Sequence, residues 1–402
     1  MNGISFPWSD NWWIEQGKAW FCGGKIGALF CVDMNTEQCN MVAQIPECEL
    51  FSFRKYSYCI KYKNTVFCMP SMGNCIWCYD VESSEWESIE VENNSQIFIC
   101  ISSYKRDNEK MYFWDEEGKI SETDFINKTS KTKCYIPKRI DEEIGEYVVL
   151  KDTLYCILGK QVFCINLDNE EIGSYDISAA KTGLYTICYD GVNFWLSGFC
   201  KEIYVWNPEQ GIVKVITEFP SRFGIYNFNG QKKSLVDCDS FTNDEFPFFL
   251  SSAALGKYVW FIPFQTNTIL YINKETYEVF ELEIEGEIET QESLKKRDLA
   301  NKYLIEYIRE ERYIGLYSIK NHLIFEIDTV ELCVRKKDYR LSEKAILAMA
   351  KADISYYGQR IFWEKRKKDA TLFSVLLNSN DEEQKDVSQN IGNLIYRTLD
   401  LL

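Results

Sequence analysis

The sequence predicts an all-β fold assembled from one small antiparallel unit repeated along the chain, and three observations carry that expectation. Segments of strand length, rich in aromatic and β-branched residues, recur in groups. Tight polar turns separate them, such as Gly17-Lys18, Lys63-Asn64, Lys151-Asp152 and Gly256-Lys257. One apolar segment per group stops at Asp or Asn: Asp33, Asp80, Asp124, Asn166, Asn207 and Asn273. A unit therefore reads as apolar strand, polar turn, aromatic-rich strand, short loop, apolar strand ending in Asp or Asn, polar turn, last strand. One such meander cannot bury both its faces, whereas a closed ring of them can. The units are expected to be four-stranded antiparallel blades of a β-propeller.

The copies follow in order. The first places Trp12–Gln16 before the Gly17-Lys18 turn, then Ala19–Cys22 and Leu29–Asp33. The second has Tyr58–Tyr62, Val66–Met69 and Ile76–Asp80, and the third has Met111–Trp114 and Asp124. The fourth carries Leu154–Ile157 and Val162–Asn166, and the fifth Asn193–Leu196 and Ile203–Asn207 after an Asp190-Gly191 turn. The sixth has Tyr258–Phe261 and Ile269–Asn273. In the seventh, Tyr313–Ile319 is read as a first strand, followed by a Lys320-Asn321 turn and Leu323–Ile327. An eighth, weaker copy runs Ile354–Tyr357, Arg360–Trp363 and Thr371–Val375. Eight blades are expected, or seven if this last copy is an added hairpin. Last strands end in Ile45-Pro46, Ile136-Pro137 and Phe219-Pro220. Ile4-Ser5-Phe6-Pro7 has the same ending with no unit before it, so an N-terminal strand is expected to close the ring by completing the last blade.

Two of the copies resemble the kelch-type propellers. Gly23-Gly24 follows the second strand of the first copy, and Tyr79-Asp80 precedes Trp86 by the spacing of the kelch Tyr/Trp pair. The Gly pair is missing elsewhere, and Ile172, Val213 and Val279 stand in the Trp position of copies four to six. The resemblance implies a propeller and no particular activity, because such propellers serve both as enzymes and as adaptors.

Two connections are longer than blade turns. Residues 222–245 are polar and contain Asn227–Gly230 and the pair Asp237 and Asp239. Residues 287–312 read as a helical insertion, with Leu294, Leu299, Tyr303, Leu304, Tyr307 and Ile308 at spacings of three to five. Both join a fourth strand to the next first strand and flank the same blade. In an up-and-down blade this connection emerges on the same side as the loop between strands two and three. The propeller is thus expected over residues 1–380, with residues 381–402 forming a C-terminal loop and a short helix striped by Ile391, Leu394, Ile395 and Leu399. Ser342–Ala350 is read as a short helix or an outer strand.

Composition narrows the function. The chain has 402 residues and a net charge of −16, which argues against a nucleic-acid binder. The start lacks a secretory pattern. The apolar stretch 246–264 carries Gly256-Lys257 at its middle and is expected to be two strands, not a membrane span. The 16 cysteines are read as reduced thiols acting as small apolar fillers, consistent with the cytoplasm. Cys75 and Cys78 lie three apart in a strand, on opposite faces, and neither a zinc site nor any other cofactor is expected.

The only histidine, His322, is read as a turn residue on the side opposite the insertions. Acidic runs such as Asp141-Glu142-Glu143 are read as solvated loops, and Asp237 with Asp239 is too small a set for a metal. No catalytic residue is assigned. What remains is the decorated side, where Lys25, Asn74, Lys160, Lys201, Gln265 and Asn267 sit on short loops and Arg222 and Tyr226 on the long insertion. The expected function is a cytosolic binding or scaffolding module that takes a protein partner or a small polar ligand there. The alternative is a carbohydrate-active hydrolase or lyase with two carboxylates at the mouth of the ring.

Overall fold

The computed structural model describes residues 6–9, 11–49, 55–91, 97–102, 109–115, 117–136, 144–227, 234–236, 246–288 and 301–352. Among them are seven four-stranded antiparallel sheets, the blades of an all-β propeller, each a simple meander in which neighbouring strands pair in chain order. Seven is the smaller of the two blade counts expected, and the eight favoured is not met among the described residues. The residues of the eighth copy, and the C-terminal loop and helix over 381–402, lie outside the described residues.

The chain divides into two compact units. The first contains blade 1 (Trp13–Glu15, Lys18–Cys22, Ala28–Asp33, Gln38–Gln44) and blade 2 (Tyr56–Tyr62, Thr65–Pro70, Cys75–Asp80, Trp86–Glu90), whose last strand runs into the unit boundary. Trp20, Cys22 and Leu29 pack against Cys59, Cys68 and Tyr79 in a shared core. Cysteine is the right size here because two pleated sheets close upon each other. Cys22, Cys59 and Cys68 are fully buried, and burial pushes their thiols above the ordinary range. The Tyr79 and Trp86 rings meet at 4.9 Å, as the repeat spacing implies.

The N-terminal expectation fails for the described residues. Phe6–Ser9 form no strand; Phe6 instead packs on Trp12, Phe21 and Tyr339. Blade 1 does receive a fifth strand, but from downstream. Arg340–Leu341 pairs in parallel with Gln38 and Cys39, and a helix over 343–352 follows, burying Ala345, Ala348 and Met349. Lys344 Nζ donates to Val42 O at 2.8 Å, tying the helix to the same blade.

The second unit holds five blades. Blade 3 is Ile97–Ser102, Lys110–Asp115, Lys119–Asp124 and Thr129–Tyr135, and blade 4 is Ile144–Leu150, Thr153–Leu158, Gln161–Asn166 and Ile172–Asp176. Blade 5 is Leu184–Tyr189, Phe194–Gly198, Ile203–Asn207 and Gly211–Ile216. Blade 6 is Phe249–Leu255, Tyr258–Pro263, Ile269–Asn273 and Val279–Leu282, and blade 7 is Tyr303–Arg309, Tyr313–Ser318, Leu323–Asp328 and Cys333–Lys337. Consecutive blades share apolar cores: Trp114 with Leu154, Phe194 with Ile157, Trp195 with Phe261, and Trp260 with Leu316. Each such ring or branched chain contributes about 1.5–3 kcal/mol on burial. The apolar stretch 246–264 resolves into two strands of blade 6 around a left-handed Gly256 (φ 54°), and among the described residues no helix is long and apolar enough to cross a membrane.

The helical expectation over 287–312 is overturned where it can be checked. Tyr303–Arg309 is the first strand of blade 7, while residues 289–300 lie outside the described residues. This moves the seventh copy by one strand. Tyr313–Ser318 is a second strand, and the turn after it, with Lys320, Asn321 and His322, belongs to the same class of loop as the expected site residues, not the opposite one. Part of the 222–245 insertion is a small hairpin, Ile225–Asn227 with Ser234–Val236; Asp237 and Asp239 lie outside the described residues.

The Asp or Asn at the end of every third strand shares one physical role across the blades. Its Oδ1 accepts backbone N–H groups two or three residues on: Asp33 from Asn35 and Thr36, Asp80 from Glu82 and Ser83, Asp124 from Ile126 and Asn127, Asn166 from Asp168 and Asn169, Asn207 from Glu209, Asn273 from Glu275 and Thr276, and Asp328 from Val330 and Glu331. Asn273→Ala is expected to cost about 1 kcal/mol in urea unfolding, and Asn273→Asp, which keeps the acceptor, to be close to neutral.

Candidate functional site

A second repeated irregularity places the polar residues. In blades 2 to 7 the first strand carries one extra residue against its neighbour. The register slips between Tyr56 and Tyr58, Ile97 and Ile99, Ile144 and Tyr147, Leu184 and Thr186, Phe249 and Ser251, and Ile305 and Tyr307. A bulge of this kind bends the strand and re-aims one side chain out of the alternating pattern. In blade 4 the bulge holds Gly145-Glu146. Gly145 is required there, because a Cβ would stand 2.5 Å from Tyr185 O on the first strand of blade 5.

The close approach brings Glu146 onto the first strands of two other blades. Its Oε2 accepts the Ile187 N–H of blade 5 at 3.0 Å, the Ser252 N–H of blade 6 at 3.1 Å and the Ser252 hydroxyl at 3.2 Å. Its Oε1 accepts the Ser251 hydroxyl. The Cys188 thiol also lies beside Ser252, and Thr186 and Ser197 hydroxyls meet at 2.6 Å in the same blade 5 hairpin. Glu146 is half-buried by surface area yet enclosed by three strands. The loss of solvation outweighs its four hydrogen bonds and raises its carboxyl to about 7. The donors on Glu146 are neutral, so no positive charge offsets that penalty. Such a group exchanges its proton at neutral pH. It can accept hydrogen bonds from a ligand, answer a ligand's positive charge, or transfer a proton.

Two buried carboxylates elsewhere, Asp328 and Glu122, shift in the opposite direction. Asp328 takes a bidentate pair from Arg312 at 2.9 and 2.6 Å, which holds its carboxyl down to about 2. Glu122 is held below the usual range: Lys110 and the Tyr112 hydroxyl outweigh a desolvation that alone would raise it. Glu326 accepts Tyr307 and Arg309. These are paired charges within single blades.

The expected site residues separate into groups. Lys25 and Asn74 belong to the first unit, Lys25 partly buried and Asn74 exposed. In the second unit, exposed Lys160 donates to Lys181 O at 3.2 Å; Lys181 in turn pairs with buried Glu202 at 2.6 Å, next in sequence to Lys201. Tyr204 also donates to Glu202. Asn267 bridges blade 6 to the insertion, accepting from Gly224 N at 2.9 Å and donating to Arg222 O at 2.6 Å. The Arg222 guanidinium turns away to Glu281 and Glu283 at 2.6 and 3.2 Å. Gln265 is fully buried, and Tyr226 is described only as part of the hairpin backbone. Sequence reasoning missed Glu146. The signal available was a Gly-Glu pair inside an otherwise apolar first strand, Ile144–Leu150.

Comparison with known proteins supports the fold and no closer kinship. No protein-family model and no curated protein sequence matches the chain. Among solved structures, a streptogramin B lyase aligns with a TM-score of 0.54 and 13% identity, covering 83% of this chain and 95% of that one. A computationally designed protein called Ika8 aligns with a TM-score of 0.53 and 9% identity, covering 83% and 87%.

Proposed function

We propose that the chain is a kelch-like cytoplasmic binding module whose ligand, a small polar molecule, is held at the blade ends that carry the insertions. The observation behind this reading is Glu146: a near-neutral carboxyl set among serine hydroxyls on the first strands of three blades, close to where those strands begin. In the second unit Lys160, Lys201 and Asn267, with Arg222 and Tyr226 on the insertion and Gln265 buried behind them, would form the rim that selects the ligand, while Lys25 and Asn74 lie in the first unit. The cytoplasmic part rests on the cysteines, fourteen of which are free thiols.

A thermal-shift screen against sugars, polyols and nucleotides tests the reading. A ligand that raises Tm in the parent chain is expected to bind Glu146→Gln at least tenfold more weakly. Equal affinity for both proteins would remove Glu146 from the site. The second reading, a hydrolase or lyase, draws on the same near-neutral carboxyl acting as a general acid or base. It is separated by turnover: in an enzyme, Glu146→Gln would keep substrate affinity and lose product formation.

A further inference from the structure

The core shared by blades 1 and 2 holds a group of thiols that the proposed ligand site does not use. On blade 2 the Lys63-Asn64 turn joins Tyr62 to Thr65, and the strands run back from it with Cys59 directly opposite Cys68. A two-residue turn makes Tyr62 and Thr65 a hydrogen-bonded pair. Alternation along the ladder then puts Cys59 and Cys68 at a position without ladder hydrogen bonds. Facing Cα atoms stand about 4.5 Å apart there, and side chains come closest. That separation lies at the near end of the range a disulfide spans. No other two cysteines face each other across the described strand pairs. From blade 1, the Cys22 thiol is within hydrogen-bond reach of both. All three side chains are fully buried.

Apolar filling accounts for each cysteine singly, but it makes no use of two sulfurs set face to face. Metal binding does not use them either: among the described residues no three His, Cys, Asp or Glu side chains are placed to hold an ion. The geometry points to an oxidation site, at which Cys59 and Cys68 form a reversible cross-strand disulfide with hydrogen peroxide as the oxidant. One thiol, as its thiolate, attacks a peroxide oxygen. The O–O bond breaks, a water leaves, and the sulfur becomes a sulfenic acid. The facing sulfur attacks that sulfur, the S–O bond breaks, and a second water leaves. Two thiols give up two electrons and two protons, and one peroxide becomes two waters. Burial pushes all three thiols up and keeps them protonated at rest. The reaction therefore starts when local opening draws Cys22 off the pair and lets water in. Once the bridge has formed, neither sulfur has an S–H to offer, and Cys22 loses both its neighbours as donors. The core between the two blades thus responds to peroxide.

The test uses the full chain, reduced and then freed of reductant. It is treated at neutral pH with a small excess of hydrogen peroxide, quenched in acid, alkylated under denaturing conditions and mapped by mass spectrometry without reduction. The expected product is a peptide pair joined through Cys59 and Cys68, which accumulates before any other disulfide and is lost on adding dithiothreitol. The same bridge is expected in Cys22→Ala, whereas Cys68→Ser should leave Cys59 as a sulfenic acid that dimedone captures. Recovery of Cys59 and Cys68 as thiols after the partly exposed Cys31 and Cys333 have been oxidised would overturn the proposal. So would a dominant bridge to Cys22, an indiscriminate mixture of pairs, or a Cys22→Ala chain that folds and forms no bridge. If a variant does not fold, the map of the parent chain decides alone.

Discussion

Relative to Glu146→Gln, the parent chain is expected to lose roughly 3 kcal/mol of stability as pH rises from about 4.5 to about 8. The carboxyl is raised from 4.5 to about 7 in the fold. Between those values the native state holds a proton that the unfolded chain has released. The stabilising contribution is therefore complete below the unfolded value and disappears as pH climbs through 7. Asp328, lowered to about 2, works in the other direction: its contribution is present above 3.8 and is lost as acid is added. Comparing two chains that differ only at Glu146 cancels Asp328 and every other carboxylate. Urea unfolding of both proteins at several pH values gives the difference directly. A flat difference across that range would show that Glu146 has an ordinary acidity and would remove the basis for its proposed role.

Gly198→Ala is expected to cost about 3 kcal/mol or more, or to prevent soluble accumulation altogether. Gly198 ends the second strand of blade 5, where a Cβ would come within 2.0 Å of Gly183 O, 2.9 Å of Gly183 C and 3.0 Å of Leu184 Cα. All three are backbone atoms of the partnering segment, so no side-chain rotation relieves the clash. Gly191→Ala is the matched control. It sits in a turn of the same blade with nothing within 4 Å, and its φ of 105° makes the cost purely conformational, about 1 kcal/mol. Thermal or urea melts of the two variants should differ clearly. Similar losses would mean that blade 5 can shift its strands to accept the methyl group.

The regular part of each blade was legible because simple chemistry repeats there. An Asx side chain that closes the turn after strand three must be Asp or Asn, and paired faces that close tightly favour Cys and the aromatic rings. The first strands were harder. A bulge adds one residue and shifts the alternation, so Tyr303, Leu304 and Tyr307 are all buried while Ile308 faces solvent. That spacing imitates a helix, and reading it so displaced the whole seventh copy, His322 included. The same shift hid Glu146, whose place in the alternating pattern gives no hint that it reaches two other blades. Acidic residues nearby in sequence, Asp141-Glu142-Glu143, suggested only a solvated loop.

The short parallel strand Arg340–Leu341 has a consequence for how copies of this protein behave at high concentration. The outer strand of a blade offers unpaired amides and carbonyls to any extended chain that drifts alongside, the starting point for end-to-end polymerisation. On blade 1 the protein's own backbone already occupies Gln38 and Cys39. A chain cut before residue 338 would present that margin bare and should convert more readily into fibrous aggregates.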